Sequence, residues 1–277
     1  MTVIDFTGKI ALVTGGGVGI GRATCEAFAE AGATVVTIEK DAARAADVRA
    51  ALGDSHLVIE GDVTVQADVD ALAATIAERF GGLDVLVNNV GDFLMIVKRF
   101  EEHTDEDIER LYATNMRQVF SVTRAMIPLI RKRGPGGSII SVSSIEGFRG
   151  IPFNCVYSVF KTGLIGFTKS LALDLAPEGI RVNLIAPETT DTPQVAISQY
   201  IKPEYKDAVK QWIPLGRFGA PDDLAGGILF LASPLASWVT GTSLNVDGGA
   251  LAAAGWYRTA EGKWTNAPVI PTDGLIF

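Results

Sequence analysis

Ile10-Ala11-Leu12-Val13-Thr14-Gly15-Gly16-Gly17-Val18-Gly19-Ile20-Gly21 is the stretch from which the fold can be read. The apolar run Ile10 to Val13 reads as a buried strand, and the glycines after it read as a tight turn. From Ile20 to Ala31 the pattern is helical, with Ile20, Ala23, Ala27 and Phe28 on one face. A strand, a glycine-rich turn and a helix, in that order, let the backbone approach a pyrophosphate. The helix N-terminus then supplies free N–H groups and the positive end of a dipole.

The same alternation continues outward. Thr34–Ile38 reads as the second strand and Leu57–Ile59 as the third, followed by a helix over 67–80. Asp84–Asn88 is a fourth strand, and one long helix is expected from Thr104 to Arg133, ended by Gly-Pro-Gly-Gly at 134–137. Ser138–Val142, a helix over 154–176, Ile180–Ile185, a helix from Pro221 through Ala232 and Thr242–Val246 complete the series. Strands that are apolar throughout, alternating with helices, imply a parallel sheet covered on both faces. The expectation is an α/β fold: a single doubly wound Rossmann-type domain over 1–250, with a parallel seven-stranded sheet and ligands at the carboxyl ends of the strands. Residues 251–277 read as a tail.

Glu39 ends the second strand, eighteen residues after Gly21. An acid there accepts hydrogen bonds from the adenosine ribose hydroxyls and repels a 2′-phosphate, which favours NAD over NADP. Lys40, next along, points the other way.

The bulk composition narrows the function classes. The 277 residues are 48% hydrophobic and 20% charged, as in an ordinary globule. A net charge of −8 argues against nucleic acid and anionic membranes as partners. Arg131-Lys132-Arg133 is the densest basic run, and it reads as a helix C-terminal dipole partner. Cys25, Cys155 and the two histidines lack metal-ligand spacing, so no metal is expected. Cys155 has no partner base near it in sequence and is given no nucleophile role. Without a leader pattern or an apolar run of about 20 residues, the cytoplasm is the expected location.

The spacing Thr14-Gly15-x-x-x-Gly19-x-Gly21 resembles the short-chain dehydrogenase/reductase family, and further elements in order support the likeness. Asp62-Val63 sits where that family contacts adenine. Asn88-Asn89-Val90-Gly91 resembles its Asn-Asn-Ala-Gly element. Asn115 falls at its helical asparagine. Ser144, Tyr157 and Lys161 match its Ser…Tyr-x-x-x-Lys set, and Thr240-Gly241-Thr242 through Asp247-Gly248-Gly249 resembles its C-terminal signature. The resemblance implies catalysis by Asn115, Ser144, Tyr157 and Lys161. It implies a dinucleotide held by Gly15, Gly17, Val18, Gly19, Ile20, Gly21, Glu39, Asp62, Val63, Asn89, Gly91, Tyr157, Lys161, Pro187, Thr190 and Thr192. It also implies that Lys161 bonds the nicotinamide ribose, that Ser144 holds the substrate oxygen, that Asn115 holds a water, and that the chain is a homotetramer.

The residues themselves make chemical sense. Tyr157 and Lys161 are four apart and share a helix face. A nearby ammonium is expected to pull the phenol pKa from about 10 toward working pH. The pattern breaks at Pro187-Glu188, where the family has Pro-Gly. Glu188 either turns out to solvent or bonds a substrate hydroxyl or ammonium.

Residues 189–215 form the expected substrate cover, carrying Val195, Ile197, Tyr200, Ile201, Tyr205, Trp212, Ile213 and Leu215. With Phe93, Leu94, Met95, Phe148 and Phe153 these point to an apolar pocket. Phe93, Glu146, Phe153, Glu188 and Trp212 are the candidate substrate residues. The leading expectation is an NAD-dependent oxidoreductase on a hydrophobic, cyclic or aromatic, secondary alcohol or its ketone. The alternatives are a 3-oxoacyl-thioester reductase using NADPH and a non-catalytic dinucleotide-binding protein. Trp256, Tyr257, Trp264, Pro268 and Pro271 suggest that the tail, 251–277, packs on the domain or on a neighbouring subunit.

Overall fold

β1 (Ile10–Thr14) is buried along its whole length as an inner strand of a seven-stranded parallel sheet. The computed structural model describes residues 4–200, 207–259 and 261–265. After β1 come α1 (Gly19–Glu30), β2 (Thr34–Glu39), α2 (Ala42–Leu52), β3 (Leu57–Glu60), α3 (Gln66–Phe80) and β4 (Val85–Asn88). The second half runs α4 (Asp105–Tyr112), α5 (Gln118–Lys132), β5 (Ser138–Val142), α6 (Cys155–Leu175) and β6 (Arg181–Pro187). It ends with α7 (Ile197–Tyr200), α8 (Val209–Trp212), α9 (Pro221–Ala232), β7 (Ser243–Val246) and α10 (Ala250–Ala253).

The strands lie in the order β3-β2-β1-β4-β5-β6-β7. The order reverses between β1 and β4, and a doubly wound sheet opens its ligand crevice above such a reversal. Successive side chains of a strand feed opposite faces. Leu12, Val36, Leu86 and Ile139 pack with Leu72, Ile76, Met126 and Ile130 from α3 and α5. Ala11, Val35, Val85 and Ile140 pack on the other side with Phe28 of α1 and Ile228 and Leu231 of α9. Two apolar layers thus clamp the sheet and hold its carboxyl edge rigid.

Two helices differ from the sequence expectation. α2 shows no apolar period, because only Ala45 and Val48 are buried. It forms on alanine propensity and an N-cap, with the Asp41 side chain accepting from the Arg44 N–H. The expected single helix over 104–133 is interrupted by a π-helical turn, Ala113–Arg117, between α4 and α5. In the tail, β8 (Tyr257–Arg258) and β9 (Trp264–Thr265) form a small antiparallel pair. Its Arg258 donates to the Pro214 carbonyl at 3.4 Å, so this part of the tail leans on its own chain. Ile201, Tyr205, Pro268 and Pro271 lie outside the described residues.

Candidate active site

The register Val13↔Val87 brings the end of β1 beside the end of β4. Asn89 uses this proximity to fix the glycine turn. Its backbone N–H donates to Thr14 Oγ1 (3.0 Å), and its Nδ2 donates to the carbonyls of Thr14 (2.9 Å) and Gly15 (3.2 Å). Gly21 is required by close approach, since a Cβ there would lie 2.1 Å from the Gly15 carbonyl oxygen. Val18 and Ile20 flank the start of α1, where no side chain caps the helix and no acid occupies the first turn. Its free N–H groups therefore face the crevice uncompensated.

Glu39 is buried, and its carboxylate accepts from the N–H groups of Gly17 and Asp41, each at 3.1 Å. Asp62 accepts from the N–H and Oγ1 of Thr64, both at 2.8 Å, and Val63 is buried beside it. Pro187 ends β6. Thr190 is buried and donates to the Glu188 carbonyl at 3.0 Å, while the Thr192 methyl stands 3.2 Å from where a Cβ of Gly19 would be. A glycine cradle, an uncapped helix start and an acid at the end of β2 fit a dinucleotide.

Around the corner from this cradle lie the four residues expected to do chemistry. Asn115 sits in the π-helical turn and is fully buried. Its Nδ2 donates to the carbonyls of Asp92 (2.7 Å) and Leu111 (3.0 Å), and its Oδ1 accepts from the Asp92 N–H (3.1 Å). A Cβ on Gly91 would lie 2.6 Å from Lys161 Nζ and 3.2 Å from Asn115 Oδ1. Asn115 and Lys161 are therefore separated by little more than the space a glycine leaves. Lys161 Nζ donates to the Val142 carbonyl at 3.2 Å and lies 5.4 Å from the centre of the Tyr157 ring. Ser144 Oγ accepts from the Glu146 N–H at 3.1 Å. The Phe93 ring meets that of Tyr157 edge-on at 6.4 Å.

The electrostatics correct one expectation. Burial pushes the Tyr157 phenol above its ordinary value, the Ser144 hydroxyl opposes this, and the charges of Glu146 and Asp92 add to it. Burial also lowers Lys161 to about 8, only partly opposed by Asp92. Burial makes the Lys161 ammonium itself costly to charge, despite the ring face and the carbonyl that favour it, so it does not depress the phenol of the protein alone.

Glu188 is a second correction, because it does not turn out to solvent. Its side chain is 9% exposed, its Oε1 accepts from the N–H (2.7 Å) and Oγ1 (2.9 Å) of Thr189, and its Oε2 accepts from Arg149 Nη2 (2.8 Å). The same Nη2 donates to Glu146 Oε1 at 2.8 Å, and Arg149 Nε approaches both Glu146 oxygens at 3.3 Å. A Glu146–Arg149–Glu188 chain thus joins the turn after Ser144 to the end of β6. Arg149 was not among the sequence candidates. Only its i,i+3 spacing from Glu146 hints at it. Phe153 is half-exposed with φ +61°, and its carbonyl accepts from the Lys98 N–H at 2.9 Å. Trp212 packs its ring on Phe218 at 5.6 Å. Glu188 also borders a cavity of about 440 Å³ with Ile213, Leu215, Arg217 and Asp223.

Residues 16–250 match the family model described as "Enoyl-(Acyl carrier protein) reductase". The chain belongs to the short-chain dehydrogenase/reductase family. As a member of it, the protein is an NAD(P)-dependent oxidoreductase. It is 37% identical over 249 residues to a galactitol 2-dehydrogenase of Agrobacterium fabrum, covering 87% of this chain and 96% of that one. It is 38% identical over 252 residues to a 3-oxoacyl-[acyl-carrier-protein] reductase of Aquifex aeolicus, covering 89% and 98%. Among solved structures, a 3-ketoacyl-(acyl-carrier-protein) reductase from Brucella melitensis complexed with NADH superposes with a TM-score of 0.79 at 35% identity, covering 89% of this short-chain dehydrogenase/reductase and 100% of that chain. Among the described residues no helix is long and apolar enough to cross a membrane.

Proposed function

We propose that this protein interconverts a hydrophobic, cyclic or aromatic, secondary alcohol and its ketone, with NAD as cofactor and Tyr157 as the acid/base. The observation that carries the reading is the convergence of Ser144, Tyr157, Lys161 and Asn115 beside the glycine cradle. Gly15, Gly17, Gly19 and Gly21 would hold the pyrophosphate, Glu39 the adenosine ribose, Asp62 and Val63 the adenine, and Asn89, Gly91, Pro187, Thr190 and Thr192 the nicotinamide half. A nicotinamide held there would supply the hydride acceptor for oxidation and the hydride donor for reduction.

The chain's own residues handle the proton. Ser144 Oγ donates to the substrate oxygen and sets it beside the Tyr157 hydroxyl. In reduction, the raised phenol pKa leaves Tyr157 protonated and ready to give its proton to the forming alkoxide. In oxidation, Tyr157 must first lose that proton, and the alcohol proton then goes to its oxygen. Lys161 would bond the nicotinamide ribose and offer charge to the phenolate. Asn115 fixes the Asp92 backbone on one side and holds the water that joins Lys161 to solvent. The homotetramer implied by the family belongs to the same reading.

Glu39 supports NAD: a carboxylate already bonded to the Gly17 N–H would face a 2′-phosphate with like charge. The 3-oxoacyl reductases among the relatives favour a thioester substrate as the second reading. The test is the absorbance of reduced nicotinamide as the protein meets cyclic and aromatic secondary alcohols with NAD or NADP, beside a 3-oxoacyl thioester with the reduced forms. Alcohol turnover with NAD that vanishes in Tyr157→Phe supports the first reading. Turnover of the thioester alone overturns it.

A further inference from the structure

The Glu146–Arg149–Glu188 chain is built from residues that the acid/base chemistry does not use, and one of them stands where the family has glycine. Two carboxylates share one guanidinium, so the group carries a net charge of −1. The bonds of Arg149 leave from Nε and Nη2, and Nη1 has no hydrogen-bond partner among the described residues. The carboxylates retain lone pairs beyond those taken by Arg149 and Thr189. The chain therefore offers both donors and acceptors beside the turn that carries Ser144. Glu146 lies close enough to Tyr157 for its charge to be felt at the phenol, as does that of Asp92. Apolar rings lie on the segments around this chain. Phe93 stands edge-on to Tyr157, and Phe148 and Phe153 are exposed.

We infer that Glu146, Arg149 and Glu188 form a specificity element that selects a neutral ring alcohol bearing a second hydroxyl near the reacting carbon and rejects substrates with an anionic group there. The inference rests on the alcohol/ketone reading above. A hydroxyl both donates and accepts, so it can bond Glu188 and Arg149 Nη1 together. A carboxylate can only accept, and it would add a third negative group to a half-buried cluster whose charges are poorly screened. Phe93, Phe148 and Phe153 would take the apolar edge of the ring.

The test compares kcat/KM for cyclohexanol, 1,2-cyclohexanediol and 2-hydroxycyclohexanecarboxylate. In the wild type the diol should exceed cyclohexanol, and the carboxylate should fall below it by about tenfold or more. Glu188→Gln brings the cluster to zero and should relax the penalty on the carboxylate. Arg149→Gln brings it to −2 and should deepen that penalty. A merely structural role would move both variants in the same direction, and that result overturns the proposal. So does a carboxylate handled as well as cyclohexanol by the wild type, or a diol no better than cyclohexanol. If no alcohol is turned over with either dinucleotide, the alcohol/ketone reading fails. Calorimetric affinities of the three compounds for the dinucleotide-loaded protein then still read the charge order, and a carboxylate bound as tightly as the diol overturns the proposal on its own.

Discussion

Replacing Lys161 by Met should make the protein more stable at pH 7 while abolishing turnover. Lys161 is 3% exposed, and burial lowers its pKa from 10.5 to about 8. Below pH 8 the folded and unfolded states both carry the charge, so the folded state bears the full penalty. At about 1.36 kcal/mol per pKa unit this is about 3 kcal/mol at pH 7. Between pH 8 and 10.5 the unfolded state binds the proton and the folded state does not, so stability rises with pH and the penalty fades. By pH 9.5 about 1 kcal/mol of it is left. Met matches the length of the stem but strips the Val142 carbonyl of its donor, a loss of about 1–3 kcal/mol at any pH. The variant should therefore gain about 1 kcal/mol at pH 7 and lose that advantage, or reverse it, at pH 9.5. The difference of about 2 kcal/mol between the two pH values does not depend on the hydrogen bond. Urea unfolding of both proteins at both pH values measures it. The raised phenol of Tyr157 contributes to both proteins and cancels. A variant destabilised equally at pH 7 and 9.5 would refute the electrostatic account of Lys161.

Further outcomes follow from the same geometry. Alcohol oxidation should rise with pH across the alkaline range and ketone reduction should not, because burial keeps Tyr157 protonated near neutrality; a flat oxidation profile of kcat/KM between pH 7 and 10 contradicts this. Gly91→Ala places a methyl 2.6 Å from Lys161 Nζ and should lower kcat by about 10²-fold with little effect on melting temperature, as read by steady-state kinetics and calorimetry. Glu39→Ser should leave a preference for NAD over NADP reduced by about tenfold or more, measured as the ratio of kcat/KM. Truncation after Ala250 should weaken assembly, seen by sedimentation, if the tail covers a neighbouring subunit.

The sheet was legible because its inner strands, β1, β2, β4, β5 and β6, are buried along nearly their whole length and are correspondingly rich in apolar residues, whereas the edge strands β3 and β7 are only partly buried. The motif residues were legible because each is tied to the end of one strand or the start of one helix. What escaped is instructive. α2 hides because two small side chains, Ala45 and Val48, suffice to bury it, so no apolar stripe appears. The break in the helix around Asn115 hides because a π turn changes hydrogen-bond register without requiring proline or glycine. Arg149 hides because its second partner, Glu188, lies 39 residues away. The phenol of Tyr157 was misjudged because spacing along a helix shows that Lys161 is near, but not that burial raises the phenol and lowers the ammonium.

The π turn at Ala113–Arg117 also makes this helix sensitive to length rather than to composition. An α-helix advances 100° per residue, so one residue removed from or added to this turn rotates α4 against α5 by about that angle. Leu111 would swing off Ile96 and Asn115 off Asp92, while Val119, Val122 and Met126 keep their places in the core. The helix is in effect a fixed count of residues between two docking points. A one-residue deletion here should be borne far less well than any single surface substitution along it.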